Sequence, residues 1–352
     1  MKYIVAACIL LLVSCVENNK DFIGRAKTYH LVVSDTLSIE CDDLGNPCFI
    51  LPYKDFVLLA DNSSRHLLTL YHWGGQGITN LLEKGKAENE ALIITSIHKV
   101  GKDTLYVYDG FSKKKIYFSI DSNQCHLARI SNVDNFYSSI ETENFVICSS
   151  DSINNRFSVK DKRNDVYYSF GDYSLYKNAQ TSGVGLSDGL LAVCEQQNRF
   201  AWFSRAGASL CISSFDGAKG EIIYQKIYQE PEFEVINNED ENISLFSTKT
   251  TIGFTSITTS HDYIFALFNG LPYSEVVKNP ERDNLLCNNL CVFDWNGNLL
   301  GNIKLNINVK DIYYDEEIGK MNLIGINSRG ECQIFTINNN AVYNAIKTFT
   351  VH

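Results

Sequence analysis

The sequence predicts an all-β protein: a six-bladed β-propeller with four-stranded antiparallel blades and a ring closed by a terminal strand. One observation is a unit, residues 103–121, that reads as two short strands joined by a turn at Asp109-Gly110 and a polar tip. Variants of this unit recur about six times along the chain, as repeat architectures require. A second observation is that helical periodicity is absent over any long window. A third is that Phe215-Asp216-Gly217 and Phe293–Asn298 fall at the same blade position, where Asp-Gly and Asn-Gly supply the positive φ of tight hairpins.

Each blade is predicted as a meander of four short strands with alternating apolar positions. The strands of blades one to three are assigned to Cys48–Tyr53, Phe56–Ala60, Leu67–Tyr71, Ile78–Leu82; Leu92–His98, Leu105–Tyr108, Lys115–Ser119, His126–Ile130; Phe136–Ile140, Phe145–Cys148, Arg156–Lys160 and Val166–Phe170. Those of blades four to six are assigned to Leu190–Glu195, Phe200–Ser204, Leu210–Phe215, Glu221–Ile227; Ile252–Thr258, Tyr263–Phe268, Leu290–Asp294, Leu299–Leu305; Ile312–Asp315, Met321–Ile326 and Cys332–Ile337.

The fourth strand of blade six is predicted to come from one end of the chain. Two runs compete for this place, Tyr29–Ile39 near the start and Ala341–Val351 at the end. Asn80–Leu92, with its Glu and Lys residues, is the one stretch in which we expect a short helix.

The first residues indicate targeting. Lys2 gives a short positive region, and Ile4 to Val13 form an apolar run too short to span a bilayer as a mature helix. The run ends in Leu12-Val13-Ser14-Cys15, which resembles the lipobox of bacterial lipoproteins, a motif whose Cys carries the lipid. We therefore expect a signal peptide at 1–14, a lipid-bearing Cys15 with its tether at 15–27, and a single propeller domain at 28–352. The alternative is an ordinary secretory signal with a chance Cys.

The net charge and the cysteine content argue against several classes of function. The net charge of −10 argues against a nucleic-acid partner, because such binding relies on Lys and Arg, and against adhesion of the folded body to anionic membrane. Without Cys8 and Cys15, nine of the 11 Cys remain, and most lie in apolar strand-like runs, as small buried hydrophobes do. No cluster of Cys and His with metal-ligand spacing appears, so we expect no metal and no cofactor.

The lipobox at Leu12–Cys15, the short tether Val16–Lys20 and the repeated aromatic-Asp turns before apolar strands resemble those of the six-bladed, TolB-like propeller lipoproteins of Bacteroidetes-type bacteria. The resemblance implies that the signal peptide is cut before Cys15 and that lipid is attached there. It also implies a location at the cell envelope, on the periplasmic face or the outer-membrane surface. Members of that family often carry a Gly-x-Gly-Pro-x-Glu loop between early blades, and Lys84–Glu90 keeps only a Gly and acidic residues at that place. The family implies a fold and a location more than an activity.

Two long insertions are predicted on one face of the same blade, and long loops on a rigid scaffold concentrate binding residues. The first, Gln229–Thr251, supplies the candidates Glu232 and Phe233, and the second, Asn269–Asn289, supplies Tyr273 and Arg282. The alternative for each is a solvated insertion without a role.

Other single residues give weaker signals. We predict that Arg65, Lys113 and Arg199 occupy equivalent loops and ring the pore with positive charge; solvated loop tips are the alternative. Asp61 and Asp109 are read as turn caps, and His98 and His261 as isolated side chains that bond locally. No Ser-His-Asp order, nucleophile elbow or Walker loop appears, so no catalytic residue is assigned.

The leading function is a lipid-anchored, non-enzymatic binding module for a protein or glycan partner at the cell envelope. One alternative is a propeller hydrolase or lyase with a metal in the central channel. The inner strands offer a poor calcium set for it: Ser96, His98, Glu141, Ser256, Thr258, Lys310 and Asp311. A second alternative is a structural subunit of an envelope complex without a ligand of its own.

Overall fold

The structure, a computed structural model, describes residues 22–36, 45–73, 77–121, 124–133, 138–150, 152, 154–176, 186–237, 242–279, 286–327 and 329–350. Strands β1 (Thr28–Leu31) and β2 (Asp35–Thr36) come first. Four antiparallel sheets of four strands follow. The first two contain β3 (Phe49–Tyr53), β4 (Phe56–Ala60), β5 (His66–His72), β6 (Ile78–Glu83), β7 (Ile94–Lys99), β8 (Thr104–Asp109), β9 (Lys114–Asp121) and β10 (Gln124–Asn132). The next two contain β11 (Ser138–Glu141), β12 (Phe145–Ser149), β13 (Phe157–Asp161), β14 (Val166–Phe170), β15 (Gly189–Cys194), β16 (Arg199–Ser204), β17 (Ala208–Phe215) and β18 (Gly220–Gln229).

The middle strands of these sheets are buried on both faces. All five residues of β4, Phe-Val-Leu-Leu-Ala, are buried, whereas the outer strand β10 is mostly exposed. A sheet that packs against a neighbour on each side needs continuous apolar runs in its middle strands, and the sequence provides them. Burial therefore falls from a middle strand such as β4 to an outermost strand such as β10.

A larger sheet completes the fold. After the hairpin β19 (Phe233–Asn237) and β20 (Asn242–Phe246), the chain forms β21 (Phe254–Thr259), β22 (Tyr263–Phe268), β23 (Cys287–Asp294), β24 (Leu299–Asp315), β25 (Lys320–Ile326) and β26 (Cys332–Asn338). The 17-residue β24 pairs with β23 through its first part and with β25 through its second part. The prediction of two separate strands, Leu299–Leu305 and Ile312–Asp315, is therefore wrong, because the chain crosses from one pairing to the next without a loop.

Both ends of the chain contact this larger sheet. β2 pairs antiparallel with β26, at Asp35–Thr336 and Thr36–Phe335, and β1 lies parallel to β24. The C-terminal candidate strand, Ala341–Val351, is wrong because Asn339–Thr350 forms a helix, α2, after the short helix α1 (Tyr273–Lys278). Its buried residues Val342, Ala345, Ile346 and Phe349 lie on one helical face and pack against the sheet.

The helix expected at Asn80–Leu92 is also wrong. Residues 78–83 form β6, and a parallel bridge joins Lys84 to Ala91 across a turn. Apart from these, the described residues contain two short 3₁₀ turns, Phe22–Arg25 and Glu195–Gln197.

Neighbouring sheets are joined by hydrogen bonds at their inner strands. The Asn62 side chain bonds both backbone groups of Ile94 at 2.8 Å, and the Tyr106 hydroxyl donates to Ser139 O at 3.2 Å. Further contacts of this kind are Ser149 Oγ to Ser187 O, Thr259 Oγ1 to Val193 O, Tyr314 N to Thr258 Oγ1, and Ile50 N to Asp311 Oδ2. These bonds satisfy edge groups of the inner strands that no further strand pairs. Together with the antiparallel sheets, they make the protein an all-β propeller.

One junction between sheets is polar. Where the β7–β10 sheet meets the β11–β14 sheet, the contact is made by Tyr106, Tyr108 and Tyr117 and by charged groups around Glu141. Apolar clusters fill the spaces between other neighbours. We call this contact, formed by the three tyrosines, Lys115, Arg129, Glu141 and Lys162, the polar seam.

None of the cysteines among the described residues forms a disulfide. Six are buried, including Cys148 and Cys194, which confirms for them the prediction of small buried hydrophobes. Cys287 and Cys291, both on β23, form no disulfide, and the candidate pair of Cys41 with Cys48 includes a position outside the described residues. Within the described part of the chain, no helix has the length and apolar character needed to cross a bilayer.

Candidate functional site

A central channel runs along the inner strands β3, β7, β11, β15, β21 and the second part of β24. Its cavity volume is about 980 Å³, and residues of all six strands line it. Such a volume is at the upper end of the range for small-molecule sites. The wall mixes aliphatic side chains with hydroxyl groups and a few charged groups.

Two faces can be distinguished at the ends of the strands. Turns between the second and third strands, and connections from one sheet to the next, lie at one end, because the strands alternate in direction. Both insertions lie at this end, which we call the insertion face. Turns between first and second strands, and between third and fourth strands, lie at the opposite face.

The two insertions pack against each other. The rings of Phe246 and Tyr273 are stacked, with centroids 5.6 Å apart, and a backbone bridge joins Thr251 to Pro272. Tyr273 N donates to Thr250 O at 2.8 Å and Ser274 N to Thr248 O at 2.9 Å. The first insertion is a hairpin, β19–β20, and the second begins with α1, so each has secondary structure of its own. The described parts of the two loops form one ordered surface.

At the base of this surface, backbone hydrogen bonds hold Arg205 at the mouth of the channel. Arg205 N donates to Asp188 O at 3.2 Å, and Gly253 N donates to Arg205 O at 2.7 Å. Only glycine fits at 253, because a Cβ there would lie 2.4 Å from Gly207 O. Arg205 Nε lies 3.4 Å from Asp188 Oδ1. Burial raises the pKa of Tyr273, the Asp188 carboxylate adds to the rise, and Arg205 opposes it.

The polar seam gathers three cations around one carboxylate. Glu141 is 4% exposed and accepts from Lys115 Nζ at 3.1 Å, from Tyr117 OH at 2.6 Å and from Lys162 Nζ at 3.2 Å, with Arg129 Nη2 at 3.6 Å. Burial alone would raise the pKa of Glu141, but the charge of Lys115 and the bond from Tyr117 hold it below its ordinary value. Glu141 is therefore an ionised structural group and has no capacity left for a ligand.

Asp311 of β24 links its own strand to the inner strands β21 and β3 by hydrogen bonds. Its carboxylate accepts from Ser256 Oγ at 2.5 Å and from Ile50 N at 2.8 Å, while Ile312 N donates to Ser256 Oγ at 3.2 Å. Burial raises the pKa of Asp311 to about 6, against these hydrogen bonds and the Arg205 charge, which lower it. A carboxyl pKa this close to neutrality shows that the surroundings of Asp311 disfavour its charged form.

The structure brings three of the insertion candidates to one region. Glu232 is exposed, its N–H bonds Thr250 Oγ1 at 2.8 Å, and the backbone places Phe233 next to it at the start of β19. Tyr273 begins α1 and contacts Phe246. Arg282 lies outside the described residues, as does the proposed lipid anchor Cys15.

The three predicted pore cations do not form a ring. Arg65 is highly exposed and pairs with Glu83 at 3.2 Å, and Lys113 lines the insertion-face end of the channel. Arg199 begins β16 at the opposite face, where Nη1 donates to Trp295 O at 2.8 Å. The prediction of equivalent loops is wrong for Arg199, because it follows a first strand whereas the other two follow second strands.

The candidate turn caps behave as expected. Asp61 accepts from Ser63 N at 2.8 Å, and Asp109 accepts from Phe111 N and Ser112 N at 3.1 Å each. His261 is exposed in a turn of the opposite face, and Asp294 closes a hairpin by bonding Asn296 and Asn298. Asp61 and Asp109 each also accept from the segment before the first strand of their own sheet, Asp61 from Asn46 N at 2.7 Å and Asp109 from Leu92 N at 2.8 Å.

Sequence reasoning missed Arg205, Asp188 and Phe246. Arg205 and Asp188 are separated by 16 intervening residues and are brought together by the antiparallel pairing of β15 with β16, next to the pair Gly189–Ser204. The apolar run Ile243–Phe246 inside a polar insertion was an available signal for a packed hairpin. Among the described residues, no group of three or more His, Cys, Asp or Glu is arranged to hold a metal ion.

Comparison with known proteins gives the family. No curated protein matched the sequence. Similar solved structures include the N-terminal domain of Nup159 (TM-score 0.42, 11% identity, 82% of this chain and 75% of that one). They also include Chaetomium thermophilum Raptor (0.44, 11%, 83% and 28%) and BamB from Moraxella catarrhalis (0.40, 9%, 82% and 71%). These similarities support no conclusion about function. Residues 44–317 match the family described as TolB-like 6-blade propeller-like, and the chain belongs to that family.

Proposed function

We propose that this protein is a lipid-anchored propeller of the cell envelope that acts as a non-enzymatic binding module, with the insertion face as its binding surface. The observation that carries the proposal is the packing of the two insertions on each other through Phe246 and Tyr273. Loops that were merely tolerated would have no reason to share a ring stack and a backbone bridge. The partner that fits this surface best is a protein, with a glycan as the alternative.

Exposed apolar side chains on the insertion face favour a protein partner. Phe111 is 75% exposed, Val277 69%, Leu175 60% and Ile93 40%. They come from four different connections, all at the same end of the strands. Apolar groups gathered on one face of a protein are a common mark of a protein-binding surface.

We also propose six blades, with the larger sheet counted as two. β21–β23 and the first part of β24 would form the fifth, and the rest of β24 with β25, β26 and β2 the sixth. The hydrogen bonds of Asp311 to Ser256 and to Ile50 N support this count, because they link the proposed sixth blade to both of its neighbours.

The direction of the N-terminal segment supports the anchored arrangement. β1 runs parallel to β24, which begins at the opposite face, so the chain enters the fold from that face. Residues 16–21 between Cys15 and Phe22 can extend over roughly 20 Å at most. An anchor at Cys15 would therefore hold the opposite face toward the bilayer and leave the insertion face free.

Photo-crosslinking in cells tests the binding surface. A photoreactive phenylalanine analogue is placed at Val277 on the insertion face or at Ile318, 49% exposed on the opposite face. We expect a discrete adduct from position 277 that is lost when Tyr273→Ala is added, and no such adduct from position 318. Equal adducts from both positions, or none from 277, would contradict the proposal.

Fractionation of the same cells tests the anchor. The variant Cys15→Ser should leave the membrane fraction and lose incorporation of a clickable fatty acid, whereas Cys48→Ser should keep both. If label and membrane association persist in Cys15→Ser, the lipid is attached elsewhere, and the proposal for the binding surface is unaffected.

A further inference from the structure

Arg205 places a cation with unused hydrogen-bonding capacity at the mouth of the channel. Among the described residues that line the cavity, it is the one arginine. Its side chain is 33% exposed, and Nε lies 3.4 Å from Asp188 Oδ1. The guanidinium nevertheless makes no hydrogen bond to a described residue. Nη1 and Nη2, which form one edge of the planar group, therefore keep their N–H groups for a ligand.

The backbone around Arg205 is held in place by the insertions. Arg205 O accepts from Gly253 N at 2.7 Å, and a backbone bridge joins the next residue, Ala206, to the same segment. Residues 251–253 are bonded in turn to residues 270–272 of the second insertion. A ligand that binds this guanidinium has little backbone freedom to remove, because the support is already ordered.

Asp188 offsets the charge of Arg205 only in part. Burial raises the pKa of Asp188 against the opposing effect of Arg205, so the charged form of this carboxyl is disfavoured. The charge of Arg205 also acts to lower the pKa of Asp311 on β24 and that of Tyr273 on α1. The guanidinium therefore lies between the inner strands and the second insertion, where a group entering the mouth from the insertion face would meet it.

The charges at this end of the channel favour a carboxylate ligand. Asp311, Asp61 and Asp109 already accept hydrogen bonds from the protein. Lys113 adds a second cation to the wall at this end. The two oxygens of a carboxylate match the two parallel N–H groups that one guanidinium edge presents, so a single arginine can hold it. A cationic ligand would instead meet the positive charges of Arg205 and Lys113.

The surroundings of Arg205 indicate that the carboxylate belongs to a docked protein. Ile93 lines the same cavity, Phe111 follows a glycine of its wall, and Val277 lies on α1 one turn after Tyr273. A charged group that is surrounded by exposed apolar side chains is typical of interface anchors, in which arginine is enriched. The cavity of about 980 Å³ behind the mouth has room for an acidic side chain or a chain terminus.

We propose that Arg205 Nη1 and Nη2 hold one carboxylate group of the protein that docks on the insertion face. The source of the carboxylate rests on the proposed function, whereas the chemistry of the site rests on Arg205 itself. Arg205 is then a specificity-determining residue, because a protein without an acidic group at this point would leave the guanidinium unpaired beneath the interface.

Titration of the full-length protein with acetate tests the chemistry, with sodium chloride at matched ionic strength as reference. The readout is saturable movement of the Tyr273 ring resonances in tyrosine-labelled protein, assigned with Tyr273→Phe. Arg205→Met keeps the aliphatic stem and should weaken acetate binding by about tenfold or more, as loss of a charge-assisted bond predicts. Asp188→Asn removes the neighbouring negative charge and should tighten it by about twofold or more. Arg65→Met, at a highly exposed position, is the control and should change it by less than about twofold.

The photo-crosslink from position 277 tests the source of the carboxylate. Arg205→Met should reduce the adduct by about tenfold, and Arg65→Met should leave it unchanged. Thermal unfolding of each variant checks that it folds.

Two results would overturn the proposal: an acetate response that Arg205→Met leaves intact, or an adduct whose yield does not depend on Arg205. Absence of any adduct from position 277 would contradict the insertion-face proposal instead, and the acetate titration would still decide whether the mouth binds a carboxylate. Failure of the two proposals is therefore distinguishable.

Discussion

At the scale of single residues, Arg156 is the most unusual group in the protein. Its guanidinium is fully buried among Trp202, Tyr173, Phe157 and Tyr176, with ring centroids 4.2 to 5.8 Å from Cζ. None of its nitrogens has a hydrogen bond to a described residue. The Tyr176 hydroxyl pairs with Ser209 Oγ at 2.6 Å instead. Four aromatic faces offset part of the cost of burying this charge, but they do not replace acceptors for its N–H groups.

Replacing this guanidinium with an apolar group should therefore stabilise the fold. Arg156→Met keeps the length and the ring contacts and removes the buried charge, so we expect the free energy of unfolding to rise by about 1–4 kcal/mol. Chemical denaturation measures the change. Arg65→Met, at a highly exposed position, is the control and should change stability little. A less stable Arg156→Met would mean that the ring contacts outweigh the unmet donors.

At the scale of elements, the C-terminal helix makes an especially close contact with the sheet at one of its buried residues. The Phe349 ring packs over Gly301 of β24, where a Cβ would lie 2.5 Å from ring atoms, and Lys27 Nζ donates to Phe349 O at 2.8 Å. The helix thus joins the first and last described segments of the chain to the largest sheet.

A double-mutant cycle tests this contact. Gly301→Ala should cost about 1–3 kcal/mol through overpacking, and Phe349→Ala about 3–5 kcal/mol through the cavity it leaves. The double variant should lose less than the sum, because the smaller side chain at 349 makes room for the new methyl group. Additive losses in urea denaturation would show that the two residues act independently.

The local sequence pattern predicted most strands well, but it predicted the bounds of the strands and of the helix in the larger sheet poorly. Phe56–Ala60, Val166–Phe170 and Tyr263–Phe268 match β4, β14 and β22 at both ends, because apolar runs bounded by turn residues identify buried strands. The helix α2 was missed since Asn339 and Asn340 read as a turn and the following apolar residues fit either period. The continuity of β24 depends on two pairings at once, which no local pattern contains.

The candidate site was predicted in part. The two long insertions led to the prediction of Tyr273 and Glu232 as site residues, because long polar loops are easily recognised between repeated strands. Arg205 was not singled out, since its contact with Gly253 depends on a segment that is distant in the sequence.

At the scale of the whole molecule, Asp311 makes stability depend on pH. Its carboxyl has a pKa raised by burial from 3.8 to about 6, so folding favours its protonated form. The cost of the buried charge is absent below about pH 4, grows as pH rises from about 4 to 6, and is fully present above about pH 6. The difference corresponds to roughly 3 kcal/mol at neutral pH.

Asp311→Asn removes this titration and keeps an acceptor for Ile50 N. Its Tm should exceed that of the wild type at pH 7.5, and the gap should shrink as pH falls toward 4. Thermal unfolding across this range measures the gap, and Glu331→Asn, a change at an exposed acid, is the control. A gap that does not vary with pH would show that Asp311 stays ionised in the fold.

The uninterrupted strand β24 forms a strong junction in the ring, whereas the polar seam forms a weak one. β24 pairs with β23 along its first part and with β25 along its second part, and no loop separates the two pairings, so we expect local opening of either part to be opposed by the other. The polar seam has only three tyrosines and an ion network in place of an apolar cluster. Amide protons of β24 should therefore exchange with solvent deuterium among the last of the molecule, and those of β11, beside the seam, well before them.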